Sequence, residues 1–311
     1  MSDQNPEAWT HFWRQGHITT FATSFSNNYD GTLGNFWQNY FTNLATHSRI
    51  LDIACGNGAI AALAAQVSMS QTKEFHICAS DLAQIQPPAN LERALLDTID
   101  FYPETPAQQQ PFPSQSFDAI VSNFGFEYSE TPATLKEIKR LLVSQGSFVA
   151  LCHHTESTLI QQAESDAAIY QAALDTHQLF STLKTVLRGR ASGSTAQNKP
   201  SAAFNKKMNA FIGAHGKQPS AKEIIQSISH LARSAAGNPL EVQLANVDDA
   251  EKEFTFASRR LQHMQKAALS DAAISQLTTN ATELGFAIQV QRPLISTAGQ
   301  TIAWVWHLTA H

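Results

Sequence analysis

From residue 49 onward, short apolar runs alternate with amphipathic stretches. Residues 49–54 (RILDIA), 75–80 (FHICAS), 117–122 (FDAIVS) and 146–152 (GSFVALC) read as buried strands. Between them lie an alanine-rich helix through about 69, a stretch at 91–101 holding a helix and a short strand, and a helix over 131–142. Strands spaced by helices in this way build a parallel sheet through right-handed crossovers. After 155 the alternation stops. Residues 156–188 read as helical, 189–201 (GRASGSTAQNKPS) as a loop, and 202–285 as further helices, one starting at 220–223, where Ser-Ala-Lys-Glu has capping-box spacing. Strand patterning returns at 286–292 (FAIQVQR) and 301–308 (TIAWVWHL), a pair suited to an antiparallel hairpin at the sheet edge.

The fold class expected is α/β: a doubly wound, mostly parallel seven-stranded sheet with an antiparallel C-terminal hairpin, an N-terminal helical lid and a large helical insertion. Residues 1–47 form the aromatic-rich cover, 48–155 and 286–311 the ligand-binding core, and 156–285 the insertion. The first 41 residues hold ten of the 28 aromatics, with helices expected near 5–14 and 33–46. Such density suits both packing on the core and a lid over a ligand.

The chain has 311 residues, 43% of them hydrophobic and 15% charged, which supports a substantial core and excludes wholesale disorder, a coiled coil or a collagen-like fibre. No apolar run approaches the roughly 18 residues of a membrane span, and the start, MSDQNPEAW, has no secretory pattern. Three widely spaced cysteines, Cys55, Cys78 and Cys152, argue against a disulfide framework. A cytoplasmic protein is expected. The net charge of −5 hides an asymmetry: residues 176–222 carry eight basic and no acidic side chains, leaving −13 on the remainder. A solvated loop and a contact for an anionic partner both account for such a stretch.

Chemistry concentrates at Leu51-Asp52-Ile53-Ala54-Cys55-Gly56-Asn57-Gly58. A strand enters a glycine turn and then a helix, whose free N–H groups and positive dipole face the loop. Glycine there permits positive φ and close approach of a ligand. In an open α/β sheet this is where ligands bind. A dinucleotide-binding GxGxxG would need its third glycine at Ala61 and does not explain Asp52.

On these residues the chain resembles the class I S-adenosylmethionine-dependent methyltransferases, with Ala54 in place of the family's first glycine. The resemblance continues in order. Asp81, followed by Leu82, matches the acidic residue that bonds the cofactor's ribose hydroxyls. Pro111-Phe112-Pro113 and the strand ending in Asn123, with Phe124, match the segment beside the cofactor's methionine part. Residues 135–142 with Gln145-Gly146 match the helix and turn before the fifth strand. The resemblance covers about 49–152 and, more loosely, 286–309. It implies S-adenosyl-L-methionine as cofactor and S-adenosyl-L-homocysteine as product, bound by Asp52, Ala54, Cys55, Gly56, Gly58, Asp81, Leu82, Asn123 and Phe124. The family's carboxylate for the adenine amino group is missing ahead of Pro111, which leaves Gln108 or a backbone carbonyl.

The run Phe25-Ser26-Asn27-Asn28-Tyr29-Asp30 resembles the aromatic-acidic pair ahead of the first strand in many small-molecule methyltransferases. Tyr29 and Trp13, with Phe12, are therefore candidates to face the sulfonium, where an aromatic ring gains about 0.5–2 kcal/mol of cation–π attraction. An acceptor hydroxyl or amine needs a base. His153 and His154 follow the fifth strand and titrate in the right range; Glu127 and Tyr128 follow the fourth. A metal reading of the two histidines lacks a third ligand, so no metal is expected. The insertion is expected to cap a small-molecule acceptor, methylated on oxygen or nitrogen. The acidic body disfavours nucleic acid, and no membrane partner is expected. Open alternatives are RNA or a carrier- or peptide-bound substrate gripped by 176–222, and a non-catalytic partner protein that binds the cofactor.

Overall fold

The computed structural model describes residues 6–20, 27–87, 91–192, 198–234 and 237–311. Phe21, Phe25 and Ser26, and part of the expected 189–201 loop, lie outside them. The chain divides into two compact units, Met1–Gln161 with Met264–His311, and Gln162–His263.

The first unit opens with helices α1 (Glu7–Arg14) and α2 (Gly31–Thr42). Then follow β1 (Arg49–Ile53), α3 (Ala59–Ser70), β2 (His76–Ser80), α4 (Arg93–Leu96), β3 (Ile99–Tyr102), β4 (Phe117–Asn123), α5 (Thr131–Leu141) and β5 (Leu142–Cys152). After the second unit it closes with α11 (Asp271–Glu283), β6 (Phe286–Ile295) and β7 (Thr301–Ala310). The strands form one seven-stranded sheet in the order β3-β2-β1-β4-β5-β7-β6. All neighbouring pairs from β3 to β5 are parallel, and β7 runs antiparallel to both β5 and β6. The hairpin is present, and its second strand is the one inserted next to β5. That leaves β6, which carries Pro293, on the edge, the place in a sheet where proline is tolerated.

Both faces are covered, which explains the continuous apolar character of β1 and β4. One face packs against α2 and α3 through Trp37, Phe41, Ile60 and Leu63; the other packs against α5 and α11 through Leu135, Ile138, Ile274 and Leu277. Strand order reverses between β1 and β4, whose carboxyl ends open the crevice used by ligands in doubly wound sheets.

The second unit contains most of α6 (Thr158–Gln171), a π-turn at Ala172–Thr176, α7 (Leu179–Ala191), α8 (Asn198–His215), α9 (Pro219–Ser234) and most of α10 (Leu240–Ala267). Its own core includes Phe180, Leu183, Phe211, Ile224, Ile228 and Val247. Three details differ from the sequence reading. The compact unit ends at His263 rather than 285, because α11 packs its apolar side on the sheet. Residues 198–201 belong to α8, so the interruption between α7 and α8 is shorter than 189–201. Helix α9 begins at Pro219, a residue suited to the first helical position, so Ser220 lies inside it and its buried hydroxyl has no partner among the described residues.

Candidate active site

The loop after β1 makes the tight turn expected of it. Ala54, Gly56 and Gly58 have φ of +52°, +55° and +85°. Ala54 holds a left-handed conformation that costs a side-chain-bearing residue about 1–2 kcal/mol. A Cβ on Gly58 would lie 2.7 Å from Phe101 Cε1, and one on Gly125 2.6 Å from the Ala54 Cβ, so this part of the fold closes only around glycine. At the end of β4, Phe124 also has positive φ, +55°. For a bulky residue this is stored strain, of a kind that clusters at functional sites.

Three carboxyls are buried here. Asp52 accepts the Ala61 amide on Oδ2 (3.1 Å), while its Oδ1 has no partner among the described residues. Burial, and then the nearby Asp81, raise its pKa well above the usual carboxylate range. Asp81 accepts the Gly56 amide on Oδ2 (2.8 Å) and the Ala83 amide on Oδ1 (2.7 Å). Burial still pushes it up to about 6. Glu127 accepts the His153 amide on Oε1 (2.7 Å) and also bonds the buried Cys152 thiol. Burial pushes it up to about 7. None of the three forms an ion pair among the described residues. Isolated charges of one sign are costly to bury, and a cationic ligand would relieve that cost.

The other expected residues separate into two groups. Asn123 is fixed by Trp37 Nε1, which donates to its Oδ1 (2.9 Å), and its side chain also bonds Tyr29. Tyr29 is buried close to Asn123 and Asp52, with its hydroxyl 3.0 Å from Thr20 Oγ1. Burial raises this phenol to about 12. The Trp13 indole packs on Gly56. Cys55 is buried, its thiol raised by burial and then by Asp52 and Asp81, which makes it inert packing in the loop. Leu82 is half-buried directly after Asp81.

The two histidines diverge. His153 stacks on Phe124 (4.5 Å between centroids) and lies 6.0 Å from the Tyr128 ring. Burial lowers its pKa to about 3, so the ring is neutral throughout the physiological range. His154 stacks on Trp304 (5.3 Å), accepts the Glu156 amide on Nδ1 (3.2 Å), and has Nε2 3.2 Å from Asp271 Oδ1. Its ring thus braces the start of α11 against the sheet, away from the group around Asn123. Gln108 sits on a turn tied to Asp81 by the Thr105 amide, which donates to the Asp81 carbonyl (2.8 Å). Two residues on, Gln110 is the buried amide: its Nε2 donates to the Pro106 carbonyl (3.0 Å), and Oε1 has no partner among the described residues.

Sequence reasoning passed over Asn57, Trp37 and Gln110. Asn57 is fully buried; its amide nitrogen donates to the carbonyls of Trp13 (2.9 Å) and His17 (2.7 Å), and its Oδ1 accepts the Gln86 amide (2.8 Å). Its place between two loop glycines was a signal that could have flagged it. Nothing local marked Trp37. Among the described residues, no group of three His, Cys, Asp or Glu side chains is placed to hold a metal ion, and no helix is long and apolar enough to cross a membrane.

Residues 51–150 match the family model of the methyltransferase domain. The match is to a methyltransferase domain over about a third of the chain, and it supports S-adenosyl-L-methionine as the cofactor. The residues present suit that group. The Asp81 oxygens each keep acceptor capacity beyond one backbone bond, Asp52 Oδ1 and Asn123 Nδ2 offer a buried acceptor and donor, and the carboxyls favour a cation. Among curated proteins none matches the chain. Solved structures similar to it include the cyclase SpnF, 23% identical over 39% of this chain and 43% of that one, TM-score 0.33. Geranyl diphosphate C-methyltransferase from Streptomyces coelicolor A3(2) is 17% identical over 39% of this chain and 44% of that one, TM-score 0.32. A putative S-adenosyl-L-methionine-dependent methyltransferase from Methanococcus maripaludis is 12% identical over 90% of this chain and 84% of that one, TM-score 0.39. The chain thus spans less than half the length of the first two.

Proposed function

We propose that the protein transfers a methyl group from S-adenosyl-L-methionine to an oxygen or nitrogen of a small-molecule acceptor. The observation that carries this reading is the set of buried carboxyls, Asp52, Asp81 and Glu127, with no cation to balance them among the described residues. An anionic dinucleotide would be repelled there, whereas a sulfonium bearing an ammonium group is attracted. When bound, the cofactor supplies an electrophilic methyl on that sulfonium.

The chain's residues then bind, orient and move a proton. Ala54, Cys55, Gly56 and Gly58 present bare backbone. Asp81 would accept from the ribose hydroxyls, Asn123 and Asp52 Oδ1 would hold the amino-acid end, and Gln110 Oε1 with Gln108 would accept from the adenine amino group. Holding nucleophile and methyl in line is worth effective molarities of about 10⁵ M or more. Glu127 is the better base than either histidine. Its pKa of about 7 matches the working pH, whereas His153 at about 3 is too weak a base and His154 is engaged with Asp271.

The test is S-adenosyl-L-homocysteine release by the purified chain across hydroxyl- and amine-bearing small molecules. Turnover on one class supports the reading; cofactor binding without turnover on any of them favours the non-catalytic alternative. A second reading, an anionic macromolecular acceptor, is favoured by Arg188, Arg190, Lys206, Lys217 and Lys222. They are exposed and form no ion pair among the described residues, unlike Lys184, which is held by Asp248 and Glu251 (2.7 Å each). Binding to a polyanion that falls steeply with salt would support it.

A further inference from the structure

The indole of Trp13 stands against the glycine loop that is tied to Asp81. A Cβ built on Gly56 would lie 2.6 Å from Trp13 Cη2 and 2.8 Å from Cε2, so the ring fills the space that a glycine leaves open. The amide of this same Gly56 donates to Asp81 Oδ2 at 2.8 Å. A small residue in such a turn serves close approach, and the group that approaches Gly56 here is the chain's own indole.

The ring is held there deliberately by its surroundings. Asn57, the next residue of the loop, donates to the carbonyls of Trp13 and His17 and so fixes the end of α1 to the loop. Gln84, three residues beyond Asp81, donates from its amide to Thr10 Oγ1 (3.1 Å). Trp13 packs with Phe12 and Ala83, and Trp9 stacks on it at 6.0 Å with 23° between planes. Asp52 Oδ1 is meanwhile sealed from solvent, although it lacks a partner among the described residues. The arrangement is a closed site whose polar groups are ready and whose glycine face is covered.

We infer that Trp13 is a gate to the cofactor site: its indole stands on the cofactor's ground at Gly56, and cofactor entry displaces the ring. The inference rests on the reading of this loop as the S-adenosylmethionine site. It opposes the cation–π expectation for Trp13, under which the ring remains and embraces the sulfonium. The two accounts differ in sign. A protein whose competent state is a minor one binds more weakly by the fraction that is competent, so removing the gate tightens binding, whereas removing an aromatic partner weakens it.

The experiment is calorimetric titration of the full chain with S-adenosyl-L-homocysteine, as wild type and Trp13→Ala. About tenfold tighter binding by the variant is expected; equal or weaker binding by a variant with wild-type circular dichroism overturns the inference. If Trp13→Ala does not fold, acrylamide quenching of wild type against Trp13→Phe isolates the Trp13 signal. Quenching of that signal should rise at saturating S-adenosyl-L-homocysteine as the ring leaves. Unchanged or reduced quenching overturns the gate. Absence of binding in wild type and variants alike would instead overturn the cofactor reading beneath it.

Discussion

Asp81 makes cofactor affinity a function of pH, with a sign and size that follow from its burial. Its carboxyl, at 8% exposure and with two backbone N–H bonds, has a pKa of about 6 against an ordinary 3.8. Only the ionised form offers both oxygens as acceptors to a diol and attracts a cation. At pH 5 about one tenth of the free protein is ionised at this site, so S-adenosyl-L-homocysteine should bind about tenfold more weakly at pH 5 than above pH 7. Calorimetry in buffers of different ionisation enthalpy should show about half a proton released per cofactor bound near pH 6. The folded-state pKa is raised, so Asp81's contribution to stability is greatest below its unfolded value and is lost as pH rises through about 6. The free protein therefore loses up to about 3 kcal/mol over that window, which bound cofactor restores. Asp52 and Glu127 are raised by the same burial, so Asp81→Asn separates the contributions. It should bind at least about tenfold more weakly than wild type at pH 7 and lose the pH 5–7 slope. A wild-type affinity flat from pH 5 to 8, or an Asp81→Asn protein with the wild-type slope, would refute the reasoning.

The remaining predictions concern the base, the braces and the loop. Glu127→Gln should slow methyl transfer by about 10²-fold or more. It should also remove the stability loss that wild type suffers as pH rises through about 7, read by urea unfolding at pH 5 and 8. His154→Ala should leave the pH–rate profile in place while lowering the melting temperature, since its ring braces Trp304 and Asp271; a vanished acidic limb would restore it as a base. Trp37→Phe should cost about 1–3 kcal/mol by leaving Asn123 Oδ1 unpartnered, and should weaken cofactor binding as that side chain loses its orientation. Gly125→Ala should destabilise by about 1–3 kcal/mol, because its Cβ meets Ala54 at 2.6 Å; a neutral melt would mean that the loop shifts freely.

The sheet was legible because β1, β2, β4 and β5 are buried on both faces and read as apolar runs, while β6 and β7 alternate. The turn of the glycine loop was legible because its cause is local: Ala54, Gly56 and Gly58 take positive φ within five residues. The rest depended on contacts that cross the chain. Trp37 orients Asn123 over 86 positions, and Asn57 reaches Trp13 over 44. No local pattern marks such partners. His153 and His154 are neighbours in sequence, yet one stacks on Phe124 and the other on Trp304, a difference set by how the chain leaves β5. The boundary of the helical unit was misplaced for a related reason. Helical periodicity announces an apolar side, not which core it joins, and α11 joins the sheet through Ile274, Leu277 and Ala281.

A buried, acid-lined crevice at the ends of β1, β2 and β4 should take a cationic methyl donor. Isothermal titration of the purified chain with S-adenosyl-L-methionine at pH 7.5, beside NADH under the same conditions, tests it most directly. The account predicts one site per chain for the methyl donor, with micromolar affinity of about −8 kcal/mol, and none for the dinucleotide. No heat from S-adenosyl-L-methionine up to millimolar concentration, or tighter binding of NADH, would contradict it.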